Sequence, residues 1–337
     1  MNEQKFMLPF AEKPYATMYN YLAFPIGIIQ ANGKDKIIPW LCGKYINCSY
    51  NGKGFNKFTI CTSDLWALED EVLSFQMIRL YEKTWNDLGW DPLEFVKDMI
   101  INGNYPCGEY NEEFIPSSSF FQKKRRIHDY LIIGFDDVEQ AFYCVGYTKT
   151  GRFEQFCVPY DCMRKAFETT HYPKICFGFF NYNNNADFTI NFSRIINELK
   201  NYVDSRPTIV DTDTDNNLVF GIAAIEALID SVRDNGCIDH RYTRGFMEHK
   251  YFMNIRMEYL SKELDVIVDK YSIISSNVYE LSQKVHLLNL KYILTHKASI
   301  LERIIETMEE VLLIERDYLP QVINLLDEYE NRRKSTC

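Results

Sequence analysis

The most regular pattern of apolar and polar residues lies near the middle of the chain. Two apolar runs, Tyr130–Phe135 and Ala141–Tyr147, flank the acidic segment Asp136–Gln140. Apolar runs of this length on either side of a short, turn-forming segment are typical of a β-hairpin. The pattern therefore predicts a hairpin with His128 at its entrance.

The pattern changes character near residue 200. Before this point, short apolar runs such as Phe153–Val158 alternate with turns, and helical patches at Asp64–Lys83 and Asp91–Ile101 lie between them. After it, apolar residues recur at intervals of three and four, as they do in amphipathic helices. The clearest repeats are Leu281, Val285, Leu288 and Tyr292, and then Ile300, Ile304, Met308 and Val311.

The predicted fold class is therefore α+β, with an all-α helical bundle following a mixed domain. We place the α+β domain at residues 1–190 and the helical domain at residues 205–333, with a helix at Thr189–Asp204 close to the boundary. Pro320 lies in the last helical repeat. Because proline lacks an N–H, it is expected to start a new helix or to kink the existing one.

Composition and charge limit the class of protein. The chain has 337 residues, of which 46% are hydrophobic, and it carries a formal charge of -10 with a pI near 5.2. A surface of this charge repels a phosphate backbone, so we expect no nucleic-acid partner. No apolar stretch reaches the roughly 20 residues of a transmembrane helix, and the N-terminus does not have the pattern of a signal peptide. We therefore expect no membrane partner and a cytoplasmic location.

Neither a metal nor another cofactor is expected. The ten cysteines include no pair with the two-residue gap of a zinc site. The segment Asp211–Asn216 begins like a calcium-binding EF-hand loop, which needs Gly at its sixth position and Glu at its twelfth. Those positions are Asn216 and Ile222, so the segment is interpreted as a polar linker.

Two groups of basic residues lie in this acidic chain. The run Lys123–Arg126 directly precedes His128, where it could bind an anion or belong to a solvated loop. The second group lies on one predicted helix and consists of Arg241, Arg244, His249, Lys250 and Arg256. That helix could receive an acidic carrier protein, or its charges could form ion pairs within the helix, such as Arg244 with Glu248.

The residues around His128 also carry a resemblance to a known family. The order is Phe114-Ile115-Pro116, a polar loop, and then His128–Asp137, which reads His-Asp-Tyr-Leu-Ile-Ile-Gly-Phe-Asp-Asp. This order resembles the papain-like N-terminal domain of the butirosin biosynthesis protein H family, and it is more distantly similar to bacteriocin-processing cysteine peptidases. The resemblance is clearest between residues 100 and 170. It implies a papain-like fold for the N-terminal domain.

The resemblance also implies roles for individual residues. In that family a cysteine attacks an acyl thioester or a peptide, a histidine accepts the thiol proton, and an aspartate after the hairpin orients the imidazole. His128 is then the base, and imidazole suits proton transfer near neutral pH. Gly146 lies where the aspartate is expected, so Asn111 is the predicted replacement.

The nucleophile is assigned less directly. The family places it early, at the start of a helix, yet residues 14–30 contain no cysteine. The next candidates along the chain are Cys42 and Cys48. Cys42 is preferred because Gly43 would leave backbone amides accessible to an oxyanion. The predicted catalytic residues are therefore His128, Cys42 and Asn111.

Two functional hypotheses of different classes follow. The first is a papain-like acyltransferase or amide-forming enzyme of peptide or antibiotic biosynthesis, which takes an acyl group from an acidic acyl or peptidyl carrier protein and passes it to a small-molecule amine. An amine activated directly by His128 would need no cysteine. The alternative is a catalytically inactive papain-like pseudoenzyme that serves as a binding or partner protein. The displaced cysteine and missing aspartate favour the alternative, whereas the histidine strand favours the enzyme.

Overall fold

The structure is a computed structural model that describes residues 4–52, 58–61, 71–170, 174–208, 218–263 and 265–336. It is a mixed α+β structure with a large antiparallel sheet and a C-terminal helical region. In chain order the strands are β1 Lys5–Met7, β2 Cys48–Asn51, β3 Phe58–Ile60, β4 Leu73–Tyr81, β5 Asn104–Asn111, β6 Ile127–Asp136, β7 Ala141–Tyr147, β8 Phe153–Pro159, β9 Lys174–Tyr182 and β10 Leu218–Phe220. The helices are α1 Asn20–Gly33, α2 Ile37–Cys42, α3 Glu82–Asp87, α4 Pro92–Ile101, α5 Tyr160–Glu168, α6 Phe192–Val203, α7 Gly221–Asn235, α8 His240–Glu258, α9 Asp269–Thr295 and α10 Ala298–Thr336.

The chain divides into two compact units. The N-terminal unit comprises Met1–Asp35 and Trp66–Asp187, and the C-terminal unit comprises Lys36–Leu65 and Phe188–Cys337. This division differs from the limits of 1–190 and 205–333 drawn on the sequence, because an early segment packs with the C-terminal half of the chain. Within that segment, β2 pairs with β10. Sequence periodicity reports local structure and contains no signal for so distant a pairing.

Seven of the described strands form one sheet in the N-terminal unit. Their order is β4-β9-β5-β6-β7-β8, with β1 beside β6, and every pair is antiparallel. β6 and β7 form the predicted hairpin, which begins with Asp136 opposite Ala141. Oδ1 of Asp136 accepts the amides of Val138 and Glu139 and so fixes the turn. The predicted hairpin is confirmed.

The predicted helix at Asp64–Lys83 is wrong at Leu73–Tyr81. Leu73–Tyr81 is strand β4 and pairs along its whole length with β9, while residues 64–70 lie outside the described residues. Leu73 and Phe75 are buried against the sheet, and Gln76 and Met77 are exposed. Short apolar runs do not distinguish a strand from a helix by periodicity alone, and here pairing with β9 decides the outcome.

The other helix predictions agree with the structure. Helix α4 begins at the Asp91-Pro92 pair, where Oδ1 of Asp91 accepts the amides of Leu93 and Glu94. A capping carboxylate followed by proline at the first helical position is a strong helix start. The C-terminal helical region begins at Gly221, because Leu218–Phe220, which was also expected to be helical, forms strand β10 against β2. Pro320, however, lies inside α10 and does not start a new helix.

Helix α8 is buried on nearly all sides in the C-terminal unit. From Glu248 to Met257, every residue except Tyr251 is buried. Lys250 and Arg256 are fully buried, so they cannot form the docking face that the sequence suggested. Spacing on a helix identifies neighbours on one face, but it does not reveal which faces the rest of the fold will cover.

The buried cations Lys250 and Arg256 of α8 both find hydrogen-bond partners inside the unit. Nζ of Lys250 lies 2.7 Å from Oε2 of Glu315 on α10, and the hydroxyl of Tyr202 on α6 hydrogen-bonds to both residues. This cluster joins three helices. Nε of Arg256 donates to the carbonyl of Cys42 over 2.8 Å, and its Nη2 donates to the carbonyl of Lys44 over 2.7 Å.

Replacing Lys250 by Met is expected to leave the Glu315 carboxylate buried without its cation. We expect the free energy of unfolding to fall by about 3–5 kcal/mol, and most of the loss to be recovered in Lys250→Met, Glu315→Leu. The measurement is urea unfolding followed by circular dichroism. In the control Lys200→Met, which breaks a half-exposed ion pair with Asp327, the change should be at most about 1 kcal/mol. A Lys250→Met variant no less stable than this control would contradict the expected role.

Candidate functional site

The start of helix α1 is bound to the entrance of strand β6. Nδ2 of Asn20, the first residue of α1, donates a 2.9 Å hydrogen bond to the carbonyl of Asp129. At the end away from the turn, the last pair between β6 and β7 is Leu131 opposite Val145. Asp129 lies two residues before Leu131, at the open end of the hairpin. The bond therefore holds the first turn of the helix against the strand where the hairpin opens.

His128 lies at the same point, and its ring is partly accessible. Its Nδ1 is 3.1 Å from the Asp129 carbonyl, so one oxygen contacts both Asn20 and His128. A carbonyl oxygen can only accept, so this contact is a hydrogen bond only when Nδ1 carries a proton, and in the neutral ring Nε2 then keeps a lone pair. The side chain is 27% exposed, and the Asp129 carboxylate lies 3.8 Å from Nδ1. The imidazole is thus available as a hydrogen-bond acceptor or base.

Asn20 is buried at the N-terminal end of helix α1. It is 7% exposed, and its Oδ1 has no hydrogen-bond partner among the described residues. The first turn of α1 contains no acidic residue, so no side-chain carboxylate there offsets the positive end of the helix dipole. At this terminus the helix dipole would lower the pKa of a thiol, whereas burial would raise it. The residue that the chain supplies is an unreactive amide.

Asn111 is engaged in fixing a turn. Its Oδ1 accepts the amides of Glu113 and Arg126, and its Nδ2 donates to Oγ1 of Thr169 over 3.0 Å. The side chain is buried and caps the short 3-10 turn Glu112–Phe114. Each hydrogen-bonding group of the amide therefore has a partner other than His128.

The strand register also separates Asn111 from His128. Asn111 lies opposite Ile127, whereas His128 lies opposite Tyr110. Because successive residues of a strand point to opposite faces, this register directs the two side chains apart. The structure does not bring Asn111 to the imidazole, and it offers no support for the predicted orienting role.

The packing of Tyr130 explains why position 146, where an aspartate was expected, is a glycine. A Cβ at this position would lie 2.5 Å from a ring carbon of Tyr130, which is too close for any side chain. The Tyr130 ring lies 5.9 Å from the His128 ring, and its hydroxyl donates to Oε1 of Glu112 over 2.7 Å. Burial and the nearby Glu112 carboxylate raise the pKa of Tyr130. Tyr130 thus occupies space that an orienting aspartate would need.

Cys42 is a core residue of the C-terminal unit, whereas His128 and Asn111 belong to the N-terminal unit. It is fully buried at the last position of α2, and burial raises the pKa of its thiol to about 12. The amide of Gly43, expected to bind an oxyanion, already donates to the carbonyl of Trp40. The C-terminal end of a helix disfavours a thiolate. The Arg256 guanidinium nearby lowers the pKa of Cys42, but burial outweighs it, so the thiol is not activated.

The described cysteines of the N-terminal unit do not replace it. Cys144 lies opposite Ile132, four residues from His128 along β6 and therefore about 13 Å away. Cys107 lies opposite Leu131 and is buried, and burial raises the pKa of its thiol. None of the cysteines that the structure describes in this unit belongs to α1.

Sequence reasoning identified His128 but overlooked Asn20. Residues 14–30 contain no cysteine, so the sequence favours Cys42 as the nucleophile. An asparagine close to the start of an apolar helix is a recognisable signal for a helix terminus. Which strand that terminus would meet could not be inferred from the sequence.

No protein-family model matches the chain, and no curated protein is significantly similar to it.

Within the described residues, no helix is both long and apolar enough to cross a membrane, and no group of three His, Cys, Asp or Glu is arranged to hold a metal ion. The acidic segment Asp211–Asn216 lies outside the described residues.

The burial of Cys42 predicts that its thiol is inert in the folded protein. Only the thiolate reacts with iodoacetamide, and a pKa near 12 leaves almost none at pH 8. We expect mass spectrometry to find the exposed Cys237 alkylated and Cys42 unmodified, with both modified after unfolding in urea. Labelling of native Cys42 as fast as Cys237 would show that this thiol is accessible and activated.

Proposed function

We propose that the N-terminal unit is a papain-like domain in which Asn20 stands where the family has its nucleophile, and that it binds an acyl group without cleaving it. The observation that carries this proposal is the shared carbonyl of Asp129, which contacts both Asn20 and His128. A helix terminus beside an accessible imidazole is the arrangement that thiol catalysis requires. Here the thiol is replaced by an amide.

The chemistry of the amide supports binding over covalent catalysis. The nitrogen lone pair of a carboxamide is delocalised into its carbonyl, so Asn20 cannot form an acyl intermediate as a thiolate does. Its Oδ1, buried and unpartnered among the described residues, and Nε2 of His128 are both hydrogen-bond acceptors. A ligand with an amide or hydroxyl donor next to its acyl carbonyl would match this pair.

Direct aminolysis is a second candidate, and the partial exposure of His128 favours it. In this reaction an amine attacks a carrier-bound thioester, His128 accepts the amine proton through Nε2, and the carrier thiolate leaves and is protonated. No cysteine takes part. The missing aspartate weakens this candidate, because the contacts of Nδ1 are limited to the neighbouring residue Asp129.

One experiment separates the two candidates. An acyl-pantetheine thioester and a primary amine are incubated with the wild-type chain, and release of the free thiol and formation of the amide are followed. The binding proposal expects measurable affinity by calorimetry, reduced in His128→Ala, and no release of thiol above background. Thiol release that disappears in His128→Ala would establish the enzyme, and a lack of any binding would refute the binding proposal.

The variant Asn20→Cys tests the papain-like geometry directly. A thiol at this position would lie at a helix N-terminus beside His128, so we expect it to alkylate about ten times or more faster at pH 6.5 than the exposed Cys237. The double variant Asn20→Cys, His128→Ala should lose most of this advantage. Asn20→Ser controls for loss of the amide hydrogen bond, and circular dichroism verifies the fold. A new thiol no more reactive than Cys237 would remove the papain-like assignment.

A further inference from the structure

The second half of helix α9 exposes a stripe of leucines to solvent. Leu287, Leu290 and Leu294 are 65%, 40% and 84% exposed. Their spacing of three and four residues places them along one side of the helix. Val285 and Asn289, which are fully buried, lie on the other side. The helix is therefore apolar on the face that its own bundle does not cover.

Lysines flank this stripe. Lys284 and Lys291 lie one turn from Leu287 on the same side of the helix, and Lys297 follows the helix end. Within the described residues, none of the three forms an ion pair. The sequence contains no Asp or Glu from Leu281 to Leu301, although the whole chain has a charge of -10. This is a basic and apolar face on an otherwise acidic protein.

The charge pattern identifies the complementary partner. Contiguous exposed apolar residues on a protein surface commonly mark an interaction site, and helices are recognised through residues spaced three, four and seven apart. Identical helices facing each other would bring lysine against lysine, which opposes self-association through this face. A helix with an apolar stripe and acidic flanks would satisfy both the leucines and the lysines.

We propose that this face of α9, defined by Lys284, Leu287, Leu290, Lys291 and Leu294, docks an acidic amphipathic helix of a protein partner. The site belongs to the C-terminal unit and does not depend on the function proposed for the His128 site. The sequence suggested a site for an acidic partner on α8, and this proposal places that site on α9 instead. Lys250 and Arg256 on α8 are buried, whereas the lysines of α9 are exposed.

The docking face is tested with synthetic helices and the full-length chain. The probe is a fluorescent amphipathic peptide with a leucine stripe flanked by glutamates, and its partner peptide has lysines in place of the glutamates. We expect the acidic peptide to bind and the basic peptide to bind at least tenfold more weakly. Raising the salt from about 0.1 M to about 1 M shortens the Debye length from about 10 Å to about 3 Å. We therefore expect at least fivefold weaker binding at high salt.

Variants locate the binding to this face. Leu287→Ser with Leu294→Ser should weaken binding at least tenfold, because two leucines no longer become buried on association. Lys284→Glu with Lys291→Glu should have a similar effect. The matched controls are Leu313→Ser, an equally exposed leucine on α10, and Lys123→Glu with Lys124→Glu, which changes the net charge by the same amount elsewhere. These controls should bind normally.

Three outcomes would overturn the proposal. If the acidic and basic peptides bound equally well, the face would not be the site. The same would follow if the leucine double variant and the lysine double variant both bound the acidic peptide as tightly as the wild type. Tighter association with phosphatidylserine vesicles than with the acidic peptide would assign the face to a lipid surface. Concentration-dependent dimerisation of the wild type that is lost in the leucine variant would assign it to a second copy of the chain.

Discussion

The buried ion pair between Lys250 and Glu315 is the constraint on which the C-terminal unit depends. Removing two charges from water is unfavourable unless they meet each other with good geometry, and here both side chains are fully buried and share the hydroxyl of Tyr202. The pair fixes α8 against α10 and α6 at one position along their axes. Once α8 is fixed, the other polar groups along it must find partners inside the unit.

The partners of Arg256 and His249 come from the segment Lys36–Leu65. Arg256 binds carbonyls at the end of α2, and Nε2 of His249 lies 2.8 Å from the carbonyl of Ile46. Burial lowers the pKa of His249 well below its ordinary value, so this histidine is a neutral structural group. The same contacts place Cys42 in the core. Its inertness is therefore a consequence of how α8 satisfies its buried charges.

Local patterns predicted those parts of the chain whose structure is locally determined. The hairpin around Asp136 and the start of α4 at Asp91 depend on side chains that bind amides two or three residues away, and the sequence displays these directly. Strand β4 depends on pairing with β9, and the burial of Lys250 depends on a residue of α10. Such long-range contacts leave no periodic signal. They account for the wrong helix prediction at Leu73–Tyr81 and for the wrong exposure predicted for α8.

The candidate site likewise contains one residue that the sequence identifies and two whose roles depend on long-range contacts. His128 could be predicted because the residues that identify it are contiguous in the sequence. Asn20 and Gly146 could not be interpreted from the sequence, because their roles come from Asp129 and Tyr130 across the fold. Gly146 is informative in retrospect, since a ring packed against its backbone excludes a side chain there. A position that appeared to lack a catalytic group is one that the packing of Tyr130 requires to be glycine.

The pairing of β2 with β10 has a consequence for how the chain is made. Ser49 lies opposite Phe220, so β2, whose other neighbour β3 follows it closely in the chain, must wait for roughly 170 further residues before β10 is synthesised, and pairing over such distances is slow. During this interval most of the N-terminal unit emerges and can fold first. Until then, the apolar residues of β2 and α2 have no core of their own. During much of its synthesis, the nascent chain therefore exposes an aggregation-prone apolar segment near its N-terminus. We expect chaperones to bind at this stage.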